Sequence, residues 1–364
     1  MRLFALLLCM LVVVPTHGLL QLAPLLSTCI DAAQAGCAAI RRVARDGRGG
    51  RLDNDDDVVY KVEGDNRSAL TAADTAAQRA IVGALRRTWG PRLRIVGEED
   101  DDDDNDVEVN KEDAQWSLLR KDLLDDDDMG DTPELDWDAV TIYVDPLDGT
   151  REFVEGRLQN CQTLVGIAIG DAAVAGAVGI PFPAGNLTVD PTIVYGIADV
   201  GTGVMGAPLT RGPFPLDHHI DGVKYPRPHI ATSDANVPVM EAARAAALQR
   251  FGGSNVIYGG AGNKILAAAL GEVACVIQHK VGGPWDLCAP HAILQGMGGR
   301  LTDLWGEEIA MYGPNAPSHC NERGYVATPQ TTPIDHDALV AALKASPGVQ
   351  AYRESIEKKL VSQD

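Results

Sequence analysis

One seven-residue segment limits the architecture more than any other. Val144-Asp145-Pro146-Leu147-Asp148-Gly149-Thr150 follows the apolar run Thr141–Val144, so a strand ends on two carboxylates three residues apart. On a tight strand-to-helix turn those carboxylates can face one point, with the Leu147 carbonyl between them. Hard oxygen donors at that spacing suit Mg²⁺, which takes one or two carboxylates with water and phosphate oxygens. Gly149 and Thr150 would open the next helix and place backbone N–H groups where a phosphate can bind. An ordinary D-x-x-D-G turn would read the same way.

Two further acidic segments share that ambiguity. Gly97-Glu98-Glu99 closes the short apolar run Leu93–Val96, so its acids sit at a strand end; taken alone they read as surface charge before metal ligands. In Trp285-Asp286-Leu287-Cys288-Ala289-Pro290, Asp286 is either a helix N-cap or a metal ligand. His218, His219, His279 and His291 show no ligand spacing and read as structural.

Hydrophobic periodicity supplies the frame around these segments. Leu19–Val43 reads as an amphipathic helix with Leu22, Leu26, Cys29, Ala33, Cys37 and Ile40 on one face. Residues 44–57 read as an exposed loop, and a second helix spans Ala72–Arg87 with Thr71 as N-cap. Residues 100–138 form an acidic, low-complexity insertion with a helix near Trp116–Leu124. Thr163–Ile169 and Ala172–Ile180 are strands joined at Gly170-Asp171, followed by a strand at Ile193–Ala198. The Pro- and His-rich stretch Pro213–Pro228 marks a domain boundary. Beyond it strands at Ile230–Ser233, Val256–Tyr258 and Val273–Gln278 alternate with helices near Val239–Phe251 and Lys264–Leu270. A helix from Asp286 to Gly296, a hairpin and a C-terminal helix complete the chain. Aromatic residues are only 5% against 45% apolar, which favours an α/β or α+β class over all-β. The expected domains are 1–18 as a leader, 19–225 as an α+β unit carrying most of the acids, and 226–364 as an α/β unit.

The formal charge of −20 excludes nucleic acid as a partner, because no basic stripe is present to displace counterions. An acidic protein can act on an anionic substrate only where bound cations invert the local field. The start of the chain has its own pattern: Arg2, the apolar run Leu3–Val14, then Thr16 and Gly18 placed as a signal peptidase requires. That run is too short to span a bilayer, and no later segment is expected to cross one. Two sequons, at Asn66 and Asn186, are compatible with secretory passage. The cysteines form no C-x-x-C pair, and Cys29 and Cys37 stand two helical turns apart, about 12 Å along the axis. Buried free thiols are therefore expected.

Taken together, Asp74, Gly97-Glu98-Glu99, Asp145-Pro146-Leu147-Asp148-Gly149-Thr150 and Trp285-Asp286 resemble the pattern of the lithium-sensitive, Mg²⁺-dependent phosphatase superfamily of inositol monophosphatase type. Gly259-Gly260-Ala261-Gly262-Asn263-Lys264 and Asp286-x-Cys288-Ala289-Pro290 look most like its 3′(2′),5′-bisphosphate nucleotidases. The resemblance implies a layered αβαβα sandwich with an antiparallel N-terminal sheet and a mixed C-terminal sheet. It implies two or three Mg²⁺ ions, one held by Glu98, Asp145 and the Leu147 carbonyl, another by Asp145, Asp148 and Asp286. Thr150, hydrogen-bonded to Asp74, would orient and deprotonate the attacking water. Gly149, Thr150, Thr232, Ser233, Gly260, Lys264 and Asp286 would contact substrate, with Lys264 and its loop on the non-reacting phosphate.

The sequence departs from that pattern where a Ser/Thr-rich stretch with a His would meet adenine. Here it reads Ala231-Thr232-Ser233-Asp234-Ala235-Asn236. The loop Val281-Gly282-Gly283-Pro284 also lacks a Lys pair. The implied reaction is loss of the 3′-phosphate from 3′-phosphoadenosine 5′-phosphate, or from its 5′-phosphosulfate form, to give AMP and phosphate. The alternatives are an inositol polyphosphate 1-phosphatase and, from another class, a non-catalytic acidic cation-binding protein. A leader places the chain in the secretory lumen or outside the cell, with plastid or cytoplasmic sites as alternatives.

Overall fold

The structure, a computed structural model, describes residues 16–46, 58–60, 69–99, 136–209, 211, 217–220, 223–226, 228–280, 282–313 and 321–361. The leader run, most of the 44–57 loop, the Asn66 sequon, the acidic insertion up to residue 135 with its helix, much of the Pro213–Pro228 boundary, Val281 and Cys320 lie outside the described residues.

The N-terminal half carries α1 (Thr16–Asp46), β1 (Val58–Tyr60), β2 (Ala69–Thr71), α2 (Ala72–Trp89), β3 (Arg94–Gly97), β4 (Val140–Asp148), α3 (Thr150–Val154), β5 (Gln162–Ile169), β6 (Ala172–Ile180), β7 (Thr192–Ile197) and β8 (Gly201–Gly206). After β9 (Asp217–Ile220) and β10 (Val223–Pro226) come β11 (His229–Thr232), α4 (Pro238–Phe251), β12 (Ser254–Ile257), α5 (Ala261–Ala269) and β13 (Cys275–Gln278). The chain then continues through α6 (Pro284–Gly296), β14 (Arg300–Thr302), β15 (Tyr325–Thr328), α7 (His336–Ala345) and α8 (Pro347–Val361).

A six-stranded sheet runs β3-β4-β5-β6-β7-β8 and a five-stranded sheet runs β12-β11-β13-β15-β14. The first was expected to be antiparallel, but β3 and β4 pair in parallel, so both sheets are mixed. Parallel neighbours need a long connection, and β3 and β4 are far enough apart in sequence to allow one. Helices α1 and α2 cover one face of the first sheet, α5 and α6 lie between the sheets, and α4, α7 and α8 cover the far face of the second. That is the expected αβαβα layering. β8 and the division of the C-terminal helix in two were not foreseen; in β8 the glycines at 201, 203 and 206 mask the strand preference of Thr202 and Val204.

The apolar face read from the sequence of α1 is the one buried: Leu22, Leu26, Cys29, Ala33, Cys37 and Ile40 face α2 and β5–β7. Each of the larger side chains contributes about 1.5–3 kcal/mol by that burial. Among the described residues α1 alone is long and apolar enough to cross a membrane, and that face is spent inside the fold. Arg41 fastens the helix to the β6–β7 connection, donating to the carbonyls of Pro181 (2.6 Å), Val189 (2.8 Å) and Leu187 (3.0 Å). Cys29, Cys37, Cys161, Cys275 and Cys288 are buried and unbridged. Burial pushes these thiols up, Cys37 to about 12, so none is a thiolate nucleophile.

Helix α6 sits unusually close to the first sheet. A Cβ on Gly166 would come within 2.6 Å of the Ala289 nitrogen, and one on Gly176 within 2.5 Å of the Ala289 Cα. That approach brings the first turn of α6, with Asp286, over the end of β4.

Candidate active site

β4 is buried along its whole length and pairs with β5 down to Asp145–Leu164; the next pair is Asp148–Gln162. The slip is a bulge, which re-aims side chains at a strand end. The Leu147 nitrogen donates to Asp145 Oδ1 at 3.0 Å, and Thr163 holds the Pro146 carbonyl at 3.0 Å. Asp145 and Asp148 are thereby fixed in the interior, 1% and 4% exposed.

Asp286 joins them from α6. The helix begins at Pro284, two residues before the predicted start, so Asp286 is its third residue and not its N-cap. One carboxylate oxygen accepts from the N-cap Gly283 nitrogen at 2.8 Å. Capping and clustering are thus compatible in one residue: an oxygen each from Asp145, Asp148 and Asp286 lie within 4.8 Å of one another. Glu98 extends the β3–β4 ladder, its nitrogen donating to the Val144 carbonyl at 3.0 Å. Its charge reaches Asp145 and Asp286.

Crowding shows in the electrostatics. Burial, with the charges of Glu98, Asp148, Asp286 and Asp74, holds the Asp145 carboxyl well above the usual carboxylate range. Burial and the charges of Glu98 and Asp148 push Asp286 up to about 8, against hydrogen bonds from the Gly282 and Gly283 backbone. Asp148 is also raised by burial, opposed by N–H donors of the 261–263 segment and by Lys264. Buried carboxylates that repel one another want a cation between them. The donors are all hard oxygens with no thiol or imidazole among them, a set that fits Mg²⁺.

Asp74 and Thr150 meet beside this cluster. α2 starts with the expected Thr71 N-cap, and Asp74 closes a capping box: its Oδ2 accepts from the Thr71 nitrogen (2.8 Å) and hydroxyl (2.6 Å). The other oxygen faces Thr150 Oγ1 at 2.8 Å, while the Leu147 carbonyl is 3.0 Å from the same hydroxyl. One proton therefore has two acceptors. Burial raises the Asp74 carboxyl to about 6, against hydrogen bonds from Thr71 and Thr150.

The Gly-rich loop is used differently from expectation. The nitrogens of Ala261 and Asn263 donate to the two oxygens of Asp148, at 2.8 and 2.9 Å. Gly260 has φ +73°, and a Cβ there would lie 2.6 Å from Asp148 Oδ2, so only glycine fits. Lys264 does not present its ammonium to the cleft. It is 3% exposed, and Nζ donates to the carbonyls of Gly260 (2.7 Å) and Tyr258 (3.2 Å). A buried ammonium needs such partners, and the loop wraps it; burial lowers its pKa against the charges of Asp148, Asp286, Glu152 and Asp234. Thr232 is fully buried with its hydroxyl donating to Asn255 Oδ1 at 3.0 Å, and Ser233 Oγ accepts from the Ala235 nitrogen at 3.3 Å. Gly149, at φ +90°, opens α3 as expected.

The structure thus gathers Asp74, Glu98, Asp145, Leu147, Asp148, Gly149, Thr150, Gly260 and Asp286, and sets Lys264 and Thr232 behind them. It also reveals supporting residues that sequence reasoning missed. Arg211 closes on Glu272 with two bonds of 2.8 Å and on Asn263 Oδ1 at 2.8 Å, an oxygen that also accepts from Gln162. Gln78, one turn after Asp74, holds the Glu99 carbonyl at 2.8 Å. Arg151 bridges from Glu155 to Asp234. Arg151 adjoins Thr150, and Asp234 stands at the departure from the family pattern, so both carried a signal.

The profile of the inositol monophosphatase family matches residues 21–347 of this chain. Human (Homo sapiens) 3′(2′),5′-bisphosphate nucleotidase 1 is 32% identical to it over 262 residues, covering 71% of this chain and 78% of that protein. The Golgi-resident adenosine 3′,5′-bisphosphate 3′-phosphatase of Rattus norvegicus is 27% identical over 342 residues, covering 90% and 82%. Among solved structures, the extragenic suppressor protein suhB of Bartonella henselae has a similar fold, with a TM-score of 0.58 at 16% identity over 88% of this chain and 98% of that one.

Proposed function

Because the chain belongs to the inositol monophosphatase family of phosphatases, we propose that it is a Mg²⁺-dependent phosphomonoesterase that removes the 3′-phosphate of 3′-phosphoadenosine 5′-phosphate. The observation that carries the hydrolytic reading is the Asp145–Asp148–Asp286 cluster, within 4.8 Å, beside the 2.8 Å contact between Thr150 and Asp74. A nucleotide bisphosphate is favoured because relatives with 32% and 27% identity are named for that substrate.

Glu98, Asp145, the Leu147 carbonyl, Asp148 and Asp286 would hold two or three Mg²⁺ ions. Bound there, Mg²⁺ offsets phosphoryl charge and lowers the pKa of water. The chain's own residues do the rest. Thr150 Oγ1 accepts a proton from the attacking water as it passes its own to Asp74 Oδ1. Thr71 keeps the Asp74 carboxylate turned toward Thr150, and Gly149 lets the substrate phosphate approach the N–H groups that open α3. The loop at Gly260 fixes Asp148, with Lys264 pinning the loop from within.

Phosphate release from adenosine 3′,5′-bisphosphate, its 5′-phosphosulfate form and inositol 1,4-bisphosphate, each with Mg²⁺ and with Li⁺ added, tests this. Mg²⁺-dependent, Li⁺-sensitive turnover of the nucleotides is expected. Turnover of the inositol compound alone reassigns the enzyme as an inositol polyphosphate 1-phosphatase. No turnover leaves an acidic cation-binding protein.

For organisation we propose a leader at 1–18, a unit at 19–225 and a unit at 226–364. Thr16–Gly18 already form the first turn of α1. For location we propose the secretory lumen, on the leader pattern and the Golgi-resident rat relative.

A further inference from the structure

A bisphosphate brings a second phosphate that does not react, and the cations and donors the sequence offers for it are committed elsewhere. Lys264 is buried on two carbonyls, and the N–H groups of Ala261 and Asn263 go to Asp148. Arg211 is closed on Glu272 and Asn263 with its side chain 15% exposed. Arg157 is taken by Glu152 and Glu155.

Arg151 differs. It directly follows Thr150, and its guanidinium reaches from Glu155 on one side (Nε, 2.8 Å) to Asp234 on the other (Nη1, 2.6 Å). Asp234 lies just past β11, at the carboxyl ends of the parallel strands β11, β12 and β13, where open α/β sheets take ligands. The pair therefore ties the first turn of α3, next to Thr150, to the segment that follows β11 in the second sheet. Its side chains are 33% and 45% exposed. An ion pair that open contributes only about 0–1 kcal/mol, so an incoming phosphate dianion that takes the guanidinium fork can displace the carboxylate. Glu155 stays on Nε and keeps the fork oriented during the exchange.

We propose that Arg151 receives the non-reacting phosphate of the substrate, and that Asp234 is the protein's own anion occupying that place until substrate arrives. This rests on the bisphosphate reading above. The pair then sets specificity: a bisphosphate replaces Asp234 with a stronger partner, whereas a monophosphate has nothing to offer Arg151.

The test is the ratio of kcat/KM for adenosine 3′,5′-bisphosphate to that for adenosine 3′-monophosphate, with Mg²⁺ present. Arg151→Gln lowers the ratio by about 10-fold or more, through the KM of the bisphosphate, since a site built to pair a group loses most when the pairing is lost. Arg151→Lys restores part of it. Asp234→Asn, which removes the competing anion, raises the ratio by about 2–5-fold, the scale of an exposed charge. Equal effects of Arg151→Gln on both substrates overturn the proposal. So does loss of the ratio in Lys280→Gln, the exposed cation after β13, when Arg151→Gln keeps it. A wild-type protein that spares the bisphosphate overturns the functional reading and this proposal together; a wild type that cleaves it with a ratio indifferent to Arg151 overturns this proposal alone.

Discussion

The two walls of the cleft are built on opposite principles. On the carboxylate wall four aspartates are buried and locally tied: Asp74 by Thr71, Asp145 by the Leu147 nitrogen, Asp148 by two N–H groups, Asp286 by the Gly283 nitrogen. On the rim the charges are part-exposed and held by one another, as where Arg151 bridges Glu155 and Asp234. The first arrangement costs stability and fixes geometry. The second costs little and can exchange partners. Chemistry that must be the same for every substrate belongs on the first wall, and discrimination among substrates belongs on the second.

The largest effect that separates them is at Asp145. Asp145→Asn is expected to lower phosphate release by about 10³-fold, or ~4 kcal/mol of barrier. Yet in chelator the variant should melt no lower than wild type, because one of several mutually repelling buried acids is gone. Wild type should gain melting temperature on adding Mg²⁺ and the variant should not. A variant that melts much lower in chelator would mean that the acids hold the fold together and do not strain it.

Asp74→Asn comes next. It leaves the cluster intact and replaces the carboxylate that takes up the Thr150 proton with an amide that cannot, so a loss of about 10²–10⁴-fold in kcat is expected with Mg²⁺ affinity retained. Isothermal titration with Mg²⁺ alongside initial rates checks both halves; a variant that no longer binds Mg²⁺ would place Asp74 among the ligands.

Gly260→Ala tests the joint between the walls. The new Cβ would stand 2.6 Å from Asp148 Oδ2 at a φ of +73°, so either the loop or the carboxylate moves. Strain of about 1–3 kcal/mol is expected in the melt, with activity down about 10–100-fold, the range for groups that orient a metal ligand.

The carboxylate wall was legible because its residues sit at fixed offsets from element ends: a strand end for Glu98 and Asp145, third helix positions for Asp74 and Asp286. Helix and strand periodicity set those offsets. What stayed hidden is the direction a long side chain takes. Lys264 follows a glycine loop, a position that suits an anion contact, yet burial turns its ammonium onto the loop's own carbonyls. Thr232 likewise stands at the expected strand end but faces Asn255. The parallel β3–β4 pairing was missed for another reason, since register between strands so distant in sequence leaves no local mark.

Charge on the carboxylate wall should also appear as a pH dependence in the metal-free protein. Asp286 is raised to about 8 in the fold against an ordinary value near 3.8. Between those values the folded state binds more protons than the unfolded chain, so stability is greatest at the acid end and falls as pH rises toward 8. Melts in chelator from pH 6.5 to 8.5 should therefore decline, and the same series with Mg²⁺ should be flatter. Parallel series would show that the acids do not share a cation.

The smallest effect is expected where neither principle operates. Arg300 and Asp337 form an ion pair at 2.7 Å on the C-terminal side, with side chains 51% and 77% exposed. It resembles Arg151–Asp234 in chemistry but lies away from the cleft, between β14 and α7. Arg300→Gln should change stability by no more than about 1 kcal/mol and leave the bisphosphate to monophosphate ratio at its wild-type value. Its worth is as a measure of the rim pair, because both pairs are open to water and both are cheap to break. If Arg300→Gln shifts the ratio as far as Arg151→Gln does, the shift reports net charge acting at a distance, and the rim has no special geometry. If only Arg151→Gln shifts it, position is what matters, and an exposed pair that contributes almost nothing to the fold decides which substrate the buried wall receives.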